Sequence, residues 1–205
     1  MNFSFILSLA LFFFSVVIHE YAHGLVAYWL GDRTAKYAGR LTLNPLSHID
    51  PFGTILLPVL LTLTHSPVIF GWAKPVPINY WGLRNPKRDI FWVGLSGPLT
   101  NFLLAAFLSF LLKSPLIFSG MAVMLVKQGI LINLVLAAFN LIPIPPLDGS
   151  RVVFSLLPKN LAGQYSKIEK YGFIIIFILL YLKMVDYFIW PMVAIFLKVL
   201  KVNIY

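Results

Sequence analysis

The feature that most constrains this chain is an uncharged apolar run, FSFILSLALFFFSVVI, over residues 3–18. It continues without a break into His19-Glu20-Tyr21-Ala22-His23. A membrane span needs roughly 20 apolar residues, so the run predicts a retained transmembrane helix over about residues 3–30. A cleaved signal peptide is disfavoured, because no Lys or Arg precedes the apolar core and no small-residue cleavage site follows it.

Composition extends this conclusion to the whole chain. Hydrophobic residues make up 60% and charged residues 11% of the sequence, and the mean hydropathy is +0.87, which is too apolar for an ordinary soluble domain. A formal charge of +9 would suggest nucleic acid in a soluble protein. Here the basic residues lie in loops between apolar segments, where they determine topology, so we expect no nucleic-acid partner.

The HEYAH stretch carries the pattern of a metal site. Two histidines four residues apart project from one face of a helix and can share one Zn²⁺, while Glu20 is free to take a proton from water activated by the metal. The pattern also arises by chance, often on a helix surface. In an apolar span, however, these groups would be costly to bury without partners, which favours a metal. Because the chain has no cysteine, the ligands must be histidine and carboxylate.

Residues 90–112 and 119–141 form two further apolar spans. The first contains Gly97, whose small size permits close helix packing, and Asn101, which needs a partner on another helix or near the metal. The second ends in NLIPIPPLDG, where three prolines break the helix before Asp148. Asp148 would complete a His₂Asp set, leaving the fourth tetrahedral position for water. The alternative is that Asp148 only caps the helix that follows.

Two segments between the first and second core spans are less regular. Residues 52–70 are apolar but contain two prolines, and they either span the membrane or form a re-entrant segment. The next stretch begins GWAKPVP, where alternating prolines favour extended, edge-strand backbone. Such a strand could pair with an unwound substrate segment. It could also be a simple proline-rich loop.

Three motifs in this order resemble the site-2 protease family of intramembrane zinc metalloproteases. They are HExxH in one transmembrane helix, GPxxN in the next core helix and N-x-x-P-x-P-P-x-D-G at the end of a third. The resemblance extends over residues 5–155 and is to the compact prokaryotic type without a PDZ domain. The apolar stretch at 52–70 departs from larger members.

The resemblance implies Zn²⁺ as the cofactor, His19, His23 and Asp148 as its ligands and Glu20 as the general base. It implies that Asn140 holds substrate near the metal and that GWAKPVP belongs to a membrane-associated β-hairpin that engages substrate backbone. Asn101 is a further candidate because it lies within a span and needs a partner. The predicted substrate-binding residues are therefore Asn140, Trp72, Lys74, Pro75, Val76, Pro77 and Asn101. Water could reach the metal along the polar residues Asn133, Asn140 and Asp148.

The expected fold is an all-α polytopic membrane protein in a single domain, residues 1–205. It has a three-helix catalytic core, flanking helices and a small β-hairpin over residues 71–81. Residues 170–200 are expected to form C-terminal helices, either one span with an interfacial helix or one kinked helix. Eleven of the sixteen basic residues lie in loops 31–50, 71–90 and 149–170. The positive-inside rule then predicts a multi-pass protein of the cell membrane, with its active site nearer the cytoplasm.

The expected function is hydrolysis of peptide bonds in or near transmembrane segments of membrane-protein substrates, within a lipid bilayer. Two alternatives remain. A catalytically silent relative could bind membrane segments, although it would not need Glu20. A transporter would place polar residues along several spans, whereas here they converge at one depth. Oligomeric state is not predicted.

Overall fold

A computed structural model describes residues 3–65, 71–114 and 120–204. Its α-helices are α1 Phe3–Trp29, α2 Thr34–Tyr37, α3 Leu57–Leu63, α4 Pro86–Leu112, α5 Gly120–Asn140, α6 Asp148–Leu156, α7 Lys159–Ser166, α8 Gly172–Tyr181 and α9 Asp186–Leu200. Helices α1, α4 and α5 are long and apolar enough to cross a membrane. The described chain contains no strand, so the expected all-helical, multi-pass architecture is confirmed.

Helix α4 lies at the centre of the fold and packs against α1, α5 and α6. Small and branched side chains allow this close approach. Ala105 of α4, Ile130 and Leu134 of α5 and Val193 of α9 are among the members of one buried apolar cluster. A second cluster, including Ala27 of α1 and Val93 of α4, packs where α1 meets α4. The first cluster holds α4 against α5 and α9, and the second holds α1 beside α4.

Local signals set the ends of the helices that carry the polar residues. Gly31 follows α1 with φ of +115°, a left-handed conformation that favours glycine, and the Asp32 amide donates back to Ala27 O at 2.9 Å. Pro86 begins α4, and the buried Asp89 in its first turn accepts the Asn85 amide at 2.8 Å. The prolines after Asn140 end α5, and the chain becomes helical again only at Asp148.

The peripheral helices are short. Pro51–Leu63 is an apolar helix of wide π-helical turns continuing into α3. At 1.5 Å per residue its length is roughly 20 Å, too short to cross the hydrocarbon core. The remainder of the predicted 52–70 segment, residues 66–70, lies outside the described residues. Helices α8 and α9 are separated by a bend of 80°.

The prediction of a β-hairpin over residues 71–81 is wrong. Residues 71–79 have no regular secondary structure and Tyr80–Gly82 forms a 3₁₀ turn. The reason is that the described residues include no neighbouring strand whose carbonyl groups could accept hydrogen bonds from the amides of this segment. Those of residues 72 and 74 donate to the backbone carbonyls of Gly53 and His48, at 3.1 and 2.9 Å. The prolines at 75 and 77 have no amide hydrogen to donate, which further prevents a ladder.

Candidate metal centre

Three metal-ligating side chains converge where α1, α4 and the start of α6 meet. His19 Nε2 and His23 Nε2 lie 3.1 Å apart, and they are 3.0 and 3.1 Å from Asp148 Oδ2. Both histidines are 6% exposed. The HExxH spacing therefore brings two imidazoles to one face of α1, and the break after α5 returns a carboxylate to the same point.

The outer nitrogen of each histidine contacts an oxygen on α4. His19 Nδ1 lies 2.5 Å from Asn101 Oδ1, and His23 Nδ1 lies 2.7 Å from the Val93 carbonyl. An amide oxygen can only accept, so each Nδ1 carries the hydrogen and donates it. Both Nε2 atoms are then left with free lone pairs facing each other. An outer partner of this kind is typical of metal-binding histidines.

The donor set fits a zinc ion. Two unprotonated imidazole nitrogens and a carboxylate oxygen at mutual distances near 3 Å would repel each other unless a cation lay between them. A set of two histidines and one carboxylate is one that zinc accepts in catalytic sites, where the fourth position stays open. No other group of three such residues is found in the described parts of the chain.

Glycines on α4 make room for this cluster. A Cβ at Gly97 would lie 2.6 Å from His19 Nε2 and would overlap His23 Nε2. A Cβ at Gly94 would lie 2.9 Å from Arg151 Cβ and 3.1 Å from the Asp148 carbonyl. The absence of side chains at these two positions lets α1 and α6 approach the same stretch of α4. Gly97 thus serves the metal cluster as well as helix packing.

Glu20 meets the extended segment at residues 71–79. The Val76 amide donates to Glu20 Oε2 at 2.9 Å. Val76 is flanked by Pro75 and Pro77, so its amide is the sole donor in that tripeptide. The described residues provide no hydrogen bond to the second carboxylate oxygen, Oε1. One oxygen of Glu20 is therefore held and the other is available.

The other predicted substrate-binding residues fall into two places. Trp72 and Lys74 lie on the extended segment, and Arg40 Nη2 donates to the carbonyls of Lys74 and Pro75 at 2.8 and 3.3 Å. Asn140 is half-buried at the end of α5, where its amide donates to Leu136 O at 3.0 Å. Its hydrogen bond goes to its own helix rather than to the three clustered side chains.

Asn101 lies in the core of the helices, with partners on two other helices. It is 0% exposed and contacts His19, while its Nδ2 donates to Asn133 Oδ1 at 2.8 Å. Sequence reasoning assigned Asn133 only to a water path and missed its contact with Asn101. It also missed Ser15, because a single serine in an apolar run carries no motif. The available signal was that Asn101 and Asn133 each need a partner within a span.

Comparisons with known proteins identify one family of peptidases. The model of Peptidase family M50 matches residues 111–182, which include Asp148. A protein of Bacillus subtilis (strain 168), named "Putative zinc metalloprotease YwhC", is 40% identical over 187 residues, covering 87% of this chain and 81% of its own length. Rip2 of Mycolicibacterium smegmatis, with the same descriptive name, is 30% identical over 182 residues, covering 86% of this chain and 67% of Rip2. No solved structure matches.

The relatives align with most of the chain, well beyond the length of the family match. The resemblance to the site-2 proteases is thereby confirmed. With a relative of 40% identity aligned over four-fifths of its length, the chain belongs to peptidase family M50, the site-2 protease family.

Proposed function

We propose that this protein is a zinc metalloprotease that hydrolyses peptide bonds in or near transmembrane segments of membrane-protein substrates. The observation that carries the proposal is that His19 and His23, buried on a membrane-length helix that also carries Glu20, lie in one cluster with the half-buried Asp148. The names of the relatives, which call them zinc metalloproteases, support zinc as the ion.

In the proposed mechanism, His19 Nε2, His23 Nε2 and Asp148 Oδ2 would hold the ion. When bound, Zn²⁺ supplies a Lewis acid that polarises the scissile carbonyl and lowers the pKa of water. Glu20 takes the proton of the attacking water on Oε1 and passes it to the leaving amine, while the Val76 amide holds Oε2. The apolar helices around the site exclude bulk water and strengthen these interactions.

Substrate contacts in this proposal follow the extended segment and Asn140. A helical substrate must unwind before its carbonyl can be attacked, because its carbonyl groups are engaged in intrahelical hydrogen bonds. The amides of residues 72, 74 and 76 are already donated within the chain. Substrate backbone would therefore meet the carbonyls of the segment or take over the Val76 amide. Asn140 donates one amide hydrogen to Leu136 O, so its second amide hydrogen and its Oδ1 can both meet substrate.

We also propose that the centre opens nearer the cytoplasmic side of the cell membrane. The basic loops meet at one end of the core. Arg40 contacts the segment that carries Lys74, the Arg84 amide donates to Leu30 O at 2.9 Å, and Arg151 lies 5.3 Å from the Tyr80 ring. The positive-inside rule assigns that end to the cytoplasm. HEYAH lies in the half of α1 that approaches it.

The proposal is tested by the position of the cut. Purified protein in detergent is incubated with single-span membrane peptides and with soluble unfolded polypeptides of similar length, and the products are identified by mass spectrometry. We expect chelator-sensitive cleavage of the membrane peptides, at bonds in or within a few residues of the apolar span. Equal cleavage of the soluble polypeptides would contradict a membrane-segment substrate, although the chain would still be a protease.

A further inference from the structure

A chain of buried polar side chains links the three spanning helices to the metal centre. It runs from Ser15 on α1 through Asn133 on α5 and Asn101 on α4 to His19 on α1. The exposed fractions of these residues are 3%, 1%, 0% and 6%. Such groups are costly inside apolar helices unless every one is hydrogen-bonded, so the order of donors and acceptors along the chain is informative.

The surroundings of Asn133, at the end of the series far from His19, determine which of its side-chain atoms donates and which accepts. Asn133 Nδ2 lies 2.8 Å from the Gly129 carbonyl, which can only accept. The same nitrogen lies 2.9 Å from Ser15 Oγ, whose hydrogen is donated to Leu11 O at 2.8 Å, so Oγ also accepts. Two acceptors therefore face the NH₂ group of Asn133. Its carbonyl oxygen, Oδ1, has to point the other way.

The orientation of the Asn133 amide in turn determines the orientation of the Asn101 amide. Asn101 Nδ2 donates to Asn133 Oδ1 at 2.8 Å and, in a longer contact of 3.4 Å, to the Ser15 carbonyl. If the Asn101 amide were turned over, two carbonyl oxygens would face each other in a dry core. Asn101 therefore presents Oδ1 to His19 Nδ1, at 2.5 Å. An acceptor there requires the Nδ1–H tautomer of His19, which leaves Nε2 free.

The two histidines differ in whether the partner of Nδ1 can change its orientation. The Nδ1 partner of His23 is the Val93 carbonyl, a backbone oxygen that cannot exchange places with a nitrogen. The partner of His19 is a side-chain amide, which can present either its oxygen or its NH₂ group. A turned Asn101 would favour hydrogen on His19 Nε2 and so block that ligand atom. Only His19 depends on a further residue to keep its partner in the right orientation.

We propose that Asn133 is a positioning residue for the metal centre, acting through Asn101 to hold His19 in the tautomer whose Nε2 can bind the ion. The inference rests on the proposed zinc site. It extends that site to a residue outside the HExxH, GPxxN and proline-rich motifs. A purely structural Asn133 would need its hydrogen bonds satisfied but would have no effect on the tautomer of His19.

The test compares Asn133→Leu with wild type in two measurements. Zinc affinity is measured by competition with a chelator, and we expect about tenfold weaker binding in the variant, at the low end for outer partners of metal ligands. The side-chain nitrogens of His19 are observed by ¹⁵N NMR on metal-free protein, which has only four histidines to assign. We expect His19 Nδ1 to carry a hydrogen in every wild-type molecule and in only a fraction of the Asn133→Leu molecules.

Ser109→Ala is the matched control. Ser109 is 3% exposed on α4 and donates to Ala105 O at 2.6 Å. Its replacement therefore also deletes a buried polar group, but one outside the hydrogen-bonded series that ends at His19. We expect Ser109→Ala to bind zinc as wild type does. If it weakens zinc binding as much as Asn133→Leu, general loosening of the core explains both and the inference is overturned.

A rescue variant separates orientation from packing. In Asn133→Leu combined with Asn101→Asp, the carboxylate accepts from His19 through either oxygen, so its orientation no longer matters. We expect this pair to recover most of the zinc affinity. Should Asn133→Leu not fold, Ser15→Ala removes one of the two acceptors that orient Asn133 and is expected to give the same tautomer mixture to a smaller extent.

Two outcomes distinguish the inference from the function on which it rests. If wild type binds zinc and Asn133→Leu shows unchanged affinity and an unchanged His19 tautomer, the inference fails and the zinc site stands. If wild type binds no zinc, the proposed metal centre fails, and the tautomer measurement on metal-free protein still decides whether Asn133 controls His19.

Discussion

The backbone amide of Val76 donates a 2.9 Å hydrogen bond to Oε2 of Glu20, joining the extended segment to the carboxylate of the HExxH motif. The contact ties two features that are 56 residues apart in the chain. It means that the position of this carboxylate depends on a loop outside the helical core.

Removing the Val76 amide should impair cleavage without removing the metal ligands. Replacement of Val76 by its α-hydroxy acid exchanges the N–H for an oxygen and keeps the side chain. We expect kcat to fall on the order of tenfold, because Glu20 loses the group that orients it for proton transfer. Zinc content should stay at the wild-type level.

The same exchange at Lys74 provides the control, because it deletes an equally placed hydrogen bond, to His48 O at 2.9 Å, that does not reach Glu20. A smaller loss at Lys74 is expected. Equal losses at both positions would mean that the segment, rather than its contact with Glu20, limits the rate.

Gly97→Ala should abolish metal binding. The added methyl group would lie 2.6 Å from His19 Nε2 and overlap His23 Nε2, so it would occupy the space that the ion requires. Zinc per protein, measured by elemental analysis after purification, is expected to fall to background. Gly163→Ala on α7 is the control, because a Cβ there has no neighbour within 4 Å. Full zinc content in Gly97→Ala would show that the ion lies elsewhere.

Arg40→Ala should loosen the extended segment. The guanidinium donates to the carbonyls of Lys74 and Pro75, and no other charged side chain of the described residues makes this contact. We expect faster hydrogen exchange at the amides of residues 74 and 76, together with slower cleavage. Arg33→Ala, an exposed change in the same loop, should alter neither. Unchanged exchange in Arg40→Ala would show that other contacts are sufficient to hold the segment.

Asp32→Asn should lower stability. Asp32 is 3% exposed and accepts from the Thr34 amide at 2.9 Å, the Thr34 hydroxyl at 2.5 Å and the Asn79 amide at 2.8 Å. An asparagine would turn an NH₂ group toward at least one of these donors. The expected cost is about 1–3 kcal/mol in the free energy of unfolding, seen as a lower thermal midpoint in detergent. Asp186→Asn, at an exposed position, should leave the midpoint unchanged.

The helices and the metal cluster were predictable from local patterns. The apolar runs predicted α1, α4 and α5, since length and lack of charge determine a membrane helix. His19 and His23 follow from helical spacing together with the apolar run in which they lie. Asp148 could be added because three prolines bring a carboxylate onto broken backbone beside a buried site, a position that needs a counter-charge.

Contacts between distant segments were not predictable in this way. Alternating prolines at 75 and 77 correctly indicate extended backbone, but they do not tell which acceptors its amides meet, and a β-hairpin was therefore wrongly expected. Asn133 carries no motif, and its link to His19 depends on the packing of α5 against α4. The orientation of an amide within that packing is a property of the three-dimensional arrangement.

The most direct test of the account is a paired measurement on wild type and Glu20→Gln, in which zinc content and cleavage of a single-span membrane peptide are determined on the same samples. Glutamine keeps the size of the side chain but cannot take the proton from water. We expect both proteins to contain one zinc per chain, wild type to cleave the peptide and Glu20→Gln to leave it intact. Cleavage by Glu20→Gln at the wild-type rate, or a wild-type protein that cleaves without zinc, would contradict it.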